Sequence, residues 1–150
     1  MRYTTRATVM IAAVLGVTIS PVSPAAAQPW PPPPACVGST CVDRSPILCD
    51  DEVRTVTSWK VPDWNAYVEL RYSANCAANW ARYPSASRPP LWMWAQTWDG
   101  RSTARVDLQY GGDDNRFTSM VDGTQLARVC AENKYIPRAP DDANLCSPWY

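Results

Sequence analysis

The chain has 150 residues, with 14 basic and 14 acidic side chains and no histidine. That balance leaves no basic excess for a polyanion, so nucleic acid is not an expected partner. Without histidine, serine–histidine and cysteine–histidine nucleophile pairs are excluded.

The N-terminus reads as an export signal. Arg2 to Arg6 is charged, Ala7 to Ile19 is apolar, and Ala25-Ala26-Ala27 supplies small residues at a cut site. Residues 1–27 are therefore expected to be removed, and the protein to be secreted into the extracellular space. The apolar run is short for a bilayer span, so no membrane span is expected after signal removal. Loss of Arg2 and Arg6 leaves 12 basic and 14 acidic residues, a net charge of −2. Residues 28–35 form a proline-rich leader. Proline fixes φ and lacks an N–H, which makes this stretch a stiff spacer. Residues 36–150 are long enough for one modest domain.

Six cysteines follow: Cys36, Cys41, Cys49, Cys76, Cys130 and Cys146. An even count in an exported chain predicts three disulfides. Six cysteines admit many connectivities; the local set Cys36–Cys41, Cys49–Cys76 and Cys130–Cys146 is the expected one. Each bridge typically contributes ~2–4 kcal/mol by restricting the unfolded chain. Zinc is the rival use, but the chain has neither histidine nor a Cys-x2-Cys pair. No metal and no cofactor are expected.

From Thr55 the pattern is that of strands. Thr55 to Val61 is one. Tyr67 to Ser73 is the clearest, with Val68, Leu70 and Tyr72 on one face and Tyr67, Glu69 and Arg71 on the other. Ala77 to Tyr83 is a short strand or a helical turn, and Pro84 to Pro90 a loop. Asp99-Gly100 then sits between two alternating runs. A two-residue type I′ turn suits Asp-Gly, since both positions need φ > 0. It would set Ala95 against Ala104, Met93 against Val106 and Leu91 against Leu108, one wholly apolar face. On the other face Trp98 would meet Arg101, Gln96 would meet Thr103, Trp94 would meet Arg105, and Trp92 would meet Asp107. The same test on Asp122-Gly123 mixes the faces, so strands near Phe117–Val121 and Leu126–Ala131 are expected without a tight hairpin. The residues between Gly111 and Asn115 read as a loop. The expected fold is all-β: a small disulfide-stabilised barrel or sandwich of about six to seven short strands.

For catalysis, carboxylates remain. Glu69 is the best single candidate, but spacing nominates no second acid for a glycosidase pair. An ion pair with Arg71, two residues on and on the same face, is the plainer role. Asp113-Asp114 and Asp141-Asp142 lack the alternating spacing of a calcium loop and read as solvated turns.

Eight tryptophans (Trp30, Trp59, Trp64, Trp80, Trp92, Trp94, Trp98 and Trp149) are many for this length. Tryptophan anchors recognition surfaces. The hairpin register gathers Trp92, Trp94 and Trp98 with Arg101 and Arg105 on one face. That face is either a flat platform for a sugar ring, a peptide or a wall polymer, or a tryptophan–arginine ladder covering the sheet.

The segments Cys36-Val-Gly-Ser-Thr-Cys41, Pro46, Cys49, Val68-Glu-Leu-Arg-Tyr-Ser73, Cys76, Trp80-Ala-Arg82, Thr118-Ser-Met-Val-Asp-Gly123 and Cys130 resemble the YjfA-like secreted family, a domain of unknown function (DUF2690). The resemblance runs from about Cys36 to the C-terminus. It implies a small exported bacterial protein with disulfides and a single domain, and it carries no catalytic residues. In some members a similar domain follows a membrane helix joined to a cytoplasmic helix-turn-helix module, which fits an outward-facing sensor. The expected function is a non-catalytic extracellular binding or interaction module, for cell-wall polysaccharide, peptidoglycan or a secreted protein. A small carboxylate hydrolase and a secreted inhibitor are the alternatives.

Overall fold

The computed structural model describes residues 34–49, 52–62, 64–85, 87, 89–109, 116–136 and 145–150. The chain divides into a unit Met1–Pro32, outside the described residues, and a compact unit Pro33–Tyr150. The expected signal segment, most of the proline-rich stretch, and the doublets Asp113-Asp114 and Asp141-Asp142 lie outside the described residues.

Among the described residues seven strands form two antiparallel sheets: β1 (Val53–Lys60), β2 (Tyr67–Ser73), β3 (Ala78–Arg82), β4 (Leu91–Thr97), β5 (Val106–Asp107), β6 (Val121–Asp122) and β7 (Ala127–Asn133). One sheet has the order β1-β2-β3-β6, the other β5-β4-β7. The arrangement is a sandwich. The barrel alternative does not hold, because neither sheet closes on itself among the described residues.

The main core fills the space between the sheets. Val68, Leu70 and Ala81 face it from one side; Leu91, Met93, Ala95, Ala127, Val129 and Ala131 face it from the other. Within the three-stranded sheet large and small residues stand side by side on the core face: Met93 pairs with Ala131, and Ala95 with Val129. That pairing keeps a thin core filled. In β1, Thr55 pairs with Arg71 and Thr57 with Leu70, so Val56 is an extra residue. This bulge turns the rest of the strand over. Thr55 therefore lies on the outer face, while Trp59, opposite Val68, packs on the core.

The β4–β5 hairpin corrects the expected turn. Thr97 N–H donates to Arg101 O at 2.9 Å, which leaves Trp98, Asp99 and Gly100 as a three-residue loop. Gly100 has φ 87° and Asp99 does not share the left-handed region. A type I′ turn needs both, so the loop is the longer kind with glycine in the last, left-handed position. The register starts one residue off, with Gln96 opposite Ser102 and Thr103 N–H on Ala95 O. One extra residue before Val106 restores it, and Met93↔Val106 and Trp92↔Asp107 pair as expected. The local consequence is that buried Thr103 faces Ala95, and Ala104 is exposed.

The hairpin is also a minor part of its sheet. β4 pairs along its whole length with β7, from Leu91↔Asn133 to Thr97↔Ala127. The chain from Arg116 to Asp122 follows β3: Tyr83 N–H donates to Arg116 O, Thr118 N–H to Ala81 O, and Val121 pairs with Asn79. Asp122-Gly123 then carries the chain from one sheet to the other, which is why no tight hairpin forms there. Asp122 Oδ1 accepts from Thr124 N–H at 2.9 Å and from its hydroxyl at 2.7 Å, fixing the bend.

The three disulfides are Cys36–Cys41, Cys49–Cys76 and Cys130–Cys146. The first two belong to a knot of two 3-10 turns, Gly38–Cys41 and Pro46–Cys49. With Ala78, Trp80 and Met120 they form a second core, on the outer face of the four-stranded sheet. The third ties the C-terminal segment to β7. That segment runs beside β7 as a further strand-like edge: Ser147 N–H donates to Val129 O, and Ala127 and Tyr150 exchange both backbone bonds.

Candidate binding surface

The outer face of the three-stranded sheet carries Trp92, Trp94 and Gln96 from β4 and Arg128, Cys130, Glu132 and Lys134 from β7 and just beyond it. Strand alternation puts them there: their neighbours in sequence are the core residues. Trp92 pairs with Glu132, Trp94 with Cys130, and Gln96 with Arg128.

Cations lie over three of the indole rings. Lys134 Nζ is 5.2 Å from the Trp92 centroid, Arg105 4.5 Å from that of Trp94, and Arg128 4.2 Å from that of Trp149. Each cation is held by a second group: Lys134 by Asp107 at 2.6 Å, Arg105 by Glu132 at 2.6 Å, and Arg128 by Gln96 Oε1 at 2.9 and 2.7 Å. Partial burial lowers the pKa of Arg128 from its ordinary value. A guanidinium starts so high that it stays charged at neutral pH.

The five residues singled out in the sequence therefore separate into two settings. Trp92, Trp94 and Arg105 form a packed ladder. Trp94 is only 7% exposed, beneath Arg105 and against Leu145 and the Cys130–Cys146 bridge. Trp98 opens the three-residue loop beyond the end of β4, and Arg101 directly follows that loop. Trp98 is 64% exposed. Its ring meets Trp149 edge to face, with centroids 5.2 Å apart and planes at 73°. Arg101 pairs with Asp99 at 3.5 Å and is largely solvent-exposed.

Around Trp98 the surface stays apolar and open. Leu126, whose carbonyl accepts the Trp98 N–H, is exposed, and so is Tyr150 beside Trp149. Arg101 also borders a cleft of about 260 Å³ with Ser102, Asp43 and Asp122. Asp99 is held below the usual aspartate pKa, first by the Thr97 hydroxyl, then by Arg101 N–H, and lastly by Gln125 and the Arg101 charge. This loop thus presents an aromatic surface next to fixed polar groups. Sequence reasoning missed Trp149, Leu126, Arg128 and Tyr150 as members of this edge. No local signal marks them, because the Cys130–Cys146 bridge and the return of the chain along β7 bring them there.

Glu69 lies on the outer face of the other sheet, 3.4 Å from Arg71 Nη1 and 4.0 Å from Arg82 Nη1. It is the ion pair that its spacing suggested. The sulfurs of Cys36, Cys41, Cys49 and Cys76 lie within 4.8 Å of one another. All four are in disulfides, and metal ligation needs free thiolates. No helix of the described residues is long and apolar enough to cross a membrane.

No curated protein and no solved structure matches the chain. A family model described as "Protein of unknown function (DUF2690)" matches residues 35–131, from just before the first cysteine into β7. The match covers the disulfide knot, the first six strands and most of β7, and stops short of Cys146 and Trp149. On that match the chain belongs to the DUF2690 family.

Proposed function

We propose that this domain is a non-catalytic extracellular binding module that takes cell-wall glycan on the edge formed by Trp98 and Trp149. The observation that carries the reading is the exposure of Trp98, 64%, on a ring already braced by a second indole. Leaving an indole in water costs favourable burial, about 1.5–3 kcal/mol for a large apolar side chain. An exposed tryptophan with a rigid backing is a ready stacking surface for the apolar face of a sugar ring. Arg101, Asp43 and Asp122 at the adjoining cleft supply the polar groups that hydroxyls need. Arg128, over the Trp149 ring, backs the edge. The three disulfides favour an oxidising compartment, in keeping with secretion.

The test is co-sedimentation of the oxidised protein with insoluble peptidoglycan and cell-wall polysaccharide. Depletion from solution that Trp98→Ala abolishes, with folding preserved, is the expected result. No depletion by any wall polymer would remove the glycan reading and turn attention to a secreted protein as the ligand.

A further inference from the structure

The outer face of the four-stranded sheet carries a second feature, remote in the fold from the Trp98 edge and unused by it. The disulfide knot covers only one end of that face. Beyond its second 3-10 turn lies a pocket of about 270 Å³, bounded by Ile47, Val53, Trp80, Phe117, Arg71 and Arg82. Register explains the grouping. Arg71 stands directly across from Trp80, Glu69 from Arg82, and Arg82 from Phe117. All project from the face opposite Leu70 and Ala81.

Two guanidiniums therefore open on a cavity with aromatic walls. Arg71 is fixed: Nη1 donates to Thr55 Oγ1 at 2.6 Å and to Glu69 Oε2 at 3.4 Å. Its Nε is buried with no hydrogen-bond partner among the described residues. Arg82 is freer. Its contact with Glu69 is a long 4.0 Å, and its side chain is 45% exposed. Among the described lining residues and their ion-pair partners, one carboxylate stands against two guanidiniums. That local excess of one positive charge matches a monoanion.

We infer that this pocket binds a small monocarboxylate attached to a flat or apolar body. The Arg82 fork takes the carboxylate, and Trp80, Phe117 and Ile47 take the body. A guanidinium pairs with a carboxylate through two parallel N–H bonds, which a lysine cannot reproduce. The volume is below that of sites for drug-sized molecules, so the ligand is small or the end group of a larger one.

Sodium benzoate is the probe, followed through the indole N–H resonance of Trp80 in the oxidised protein. A saturable shift with Kd below about 1 mM is expected. Arg82→Gln should weaken it at least about tenfold and Arg82→Lys by an intermediate factor, the same spectra reporting whether each variant is folded. Benzyl alcohol, of the same shape without the charge, should bind at least about tenfold more weakly than benzoate. Trp98→Ala should leave benzoate binding unchanged, which separates this site from the glycan edge. Shifts that do not saturate, unchanged affinity in folded Arg82→Gln, or inorganic phosphate binding as tightly as benzoate would each overturn the assignment.

Discussion

Arg105 lies 4.5 Å over the Trp94 ring while its Nη1 donates to Glu132 at 2.6 Å, so one guanidinium caps an indole and pairs with a carboxylate across the sheet. Glu132 is 7% exposed, and Trp94 is equally covered. The pair shields the sheet where the Cys130–Cys146 bridge crosses it. Trp94→Ala should cost about 3–5 kcal/mol, as for other buried aromatics. Arg105→Ala should cost about 1–3 kcal/mol, through the lost stacking and the nearly buried carboxylate left behind. Trp98→Ala should change stability by about 0.5 kcal/mol or less, as at an ordinary surface site. Urea unfolding of the three variants checks the order; equal losses at Trp94 and Trp98 would contradict it.

The disulfides should differ in weight. Cys36–Cys41 closes a separation of 5 residues, Cys130–Cys146 one of 16 and Cys49–Cys76 one of 27. Loop entropy assigns them about 2, 3 and 3.5 kcal/mol in that order. Paired Cys→Ala variants, melted under non-reducing conditions, should lose stability in the same sequence. A larger loss at Cys36–Cys41 would mean that packing in the knot outweighs chain entropy.

Gly123 is required by close approach rather than by its own dihedrals. A Cβ there would stand 2.7 Å from Ala77 C and O and from Ala78 N. Those atoms are backbone and have no rotamer to yield with. Gly123 N–H donates to Ala77 O at 2.8 Å, so this contact joins the sheet crossing to the β2–β3 turn. Gly123→Ala should destabilise by about 1–3 kcal/mol. Gly100→Ala, with open space around its Cβ but φ 87°, isolates the backbone strain for comparison. Thermal melts of both variants measure the two effects separately.

The Asp99 carboxylate accepts from the Thr97 hydroxyl at 2.6 Å and from Arg101 N–H at 3.3 Å, and these bonds lower its pKa. A depressed aspartate stabilises the fold above its unfolded-state pKa. That contribution fades as pH falls through the lower folded-state value. Thr97→Val, at a site 1% exposed, removes the leading cause while keeping the shape. The Asp99 midpoint should then rise toward 3.8, the ordinary value. Carbon-detected titration of the Asp99 carboxyl is the measurement; an unmoved midpoint would show that the Thr97 hydroxyl is not the leading cause.

Several features were legible because they are local. β2 has its expected bounds and faces, since alternation alone specifies which side of a half-buried strand is apolar. Trp92↔Asp107 and Met93↔Val106 agree with the expected register only because one extra residue before Val106 offsets the longer loop. Within that hairpin the turn type was missed. Asp-Gly suits both a two-residue loop and the last two places of a three-residue one, and backbone bonds decide between them.

The candidate surface was legible only in part. Trp98 and Arg101 could be nominated from residue type and face. Their exposure could not be told apart from the burial of Trp94, because all three tryptophans share one alternation. What separates them is the chain from Leu145 to Tyr150, which covers Trp94 and stops beside Trp98.

The amino-acid sequence by itself determined the strand class, the faces of β2 and β4, and a cysteine set whose local pairing the structure carries. These rest on side-chain periodicity and short chain separations. Only the tertiary structure decided that β4 pairs throughout with β7, that Asp122-Gly123 crosses between sheets, and that the knot leaves two arginines around a pocket. Those choices join segments far apart in the chain. Periodicity marks the apolar face of each strand, but many partners could cover it; packing volumes, a buried disulfide and backbone hydrogen bonds select one.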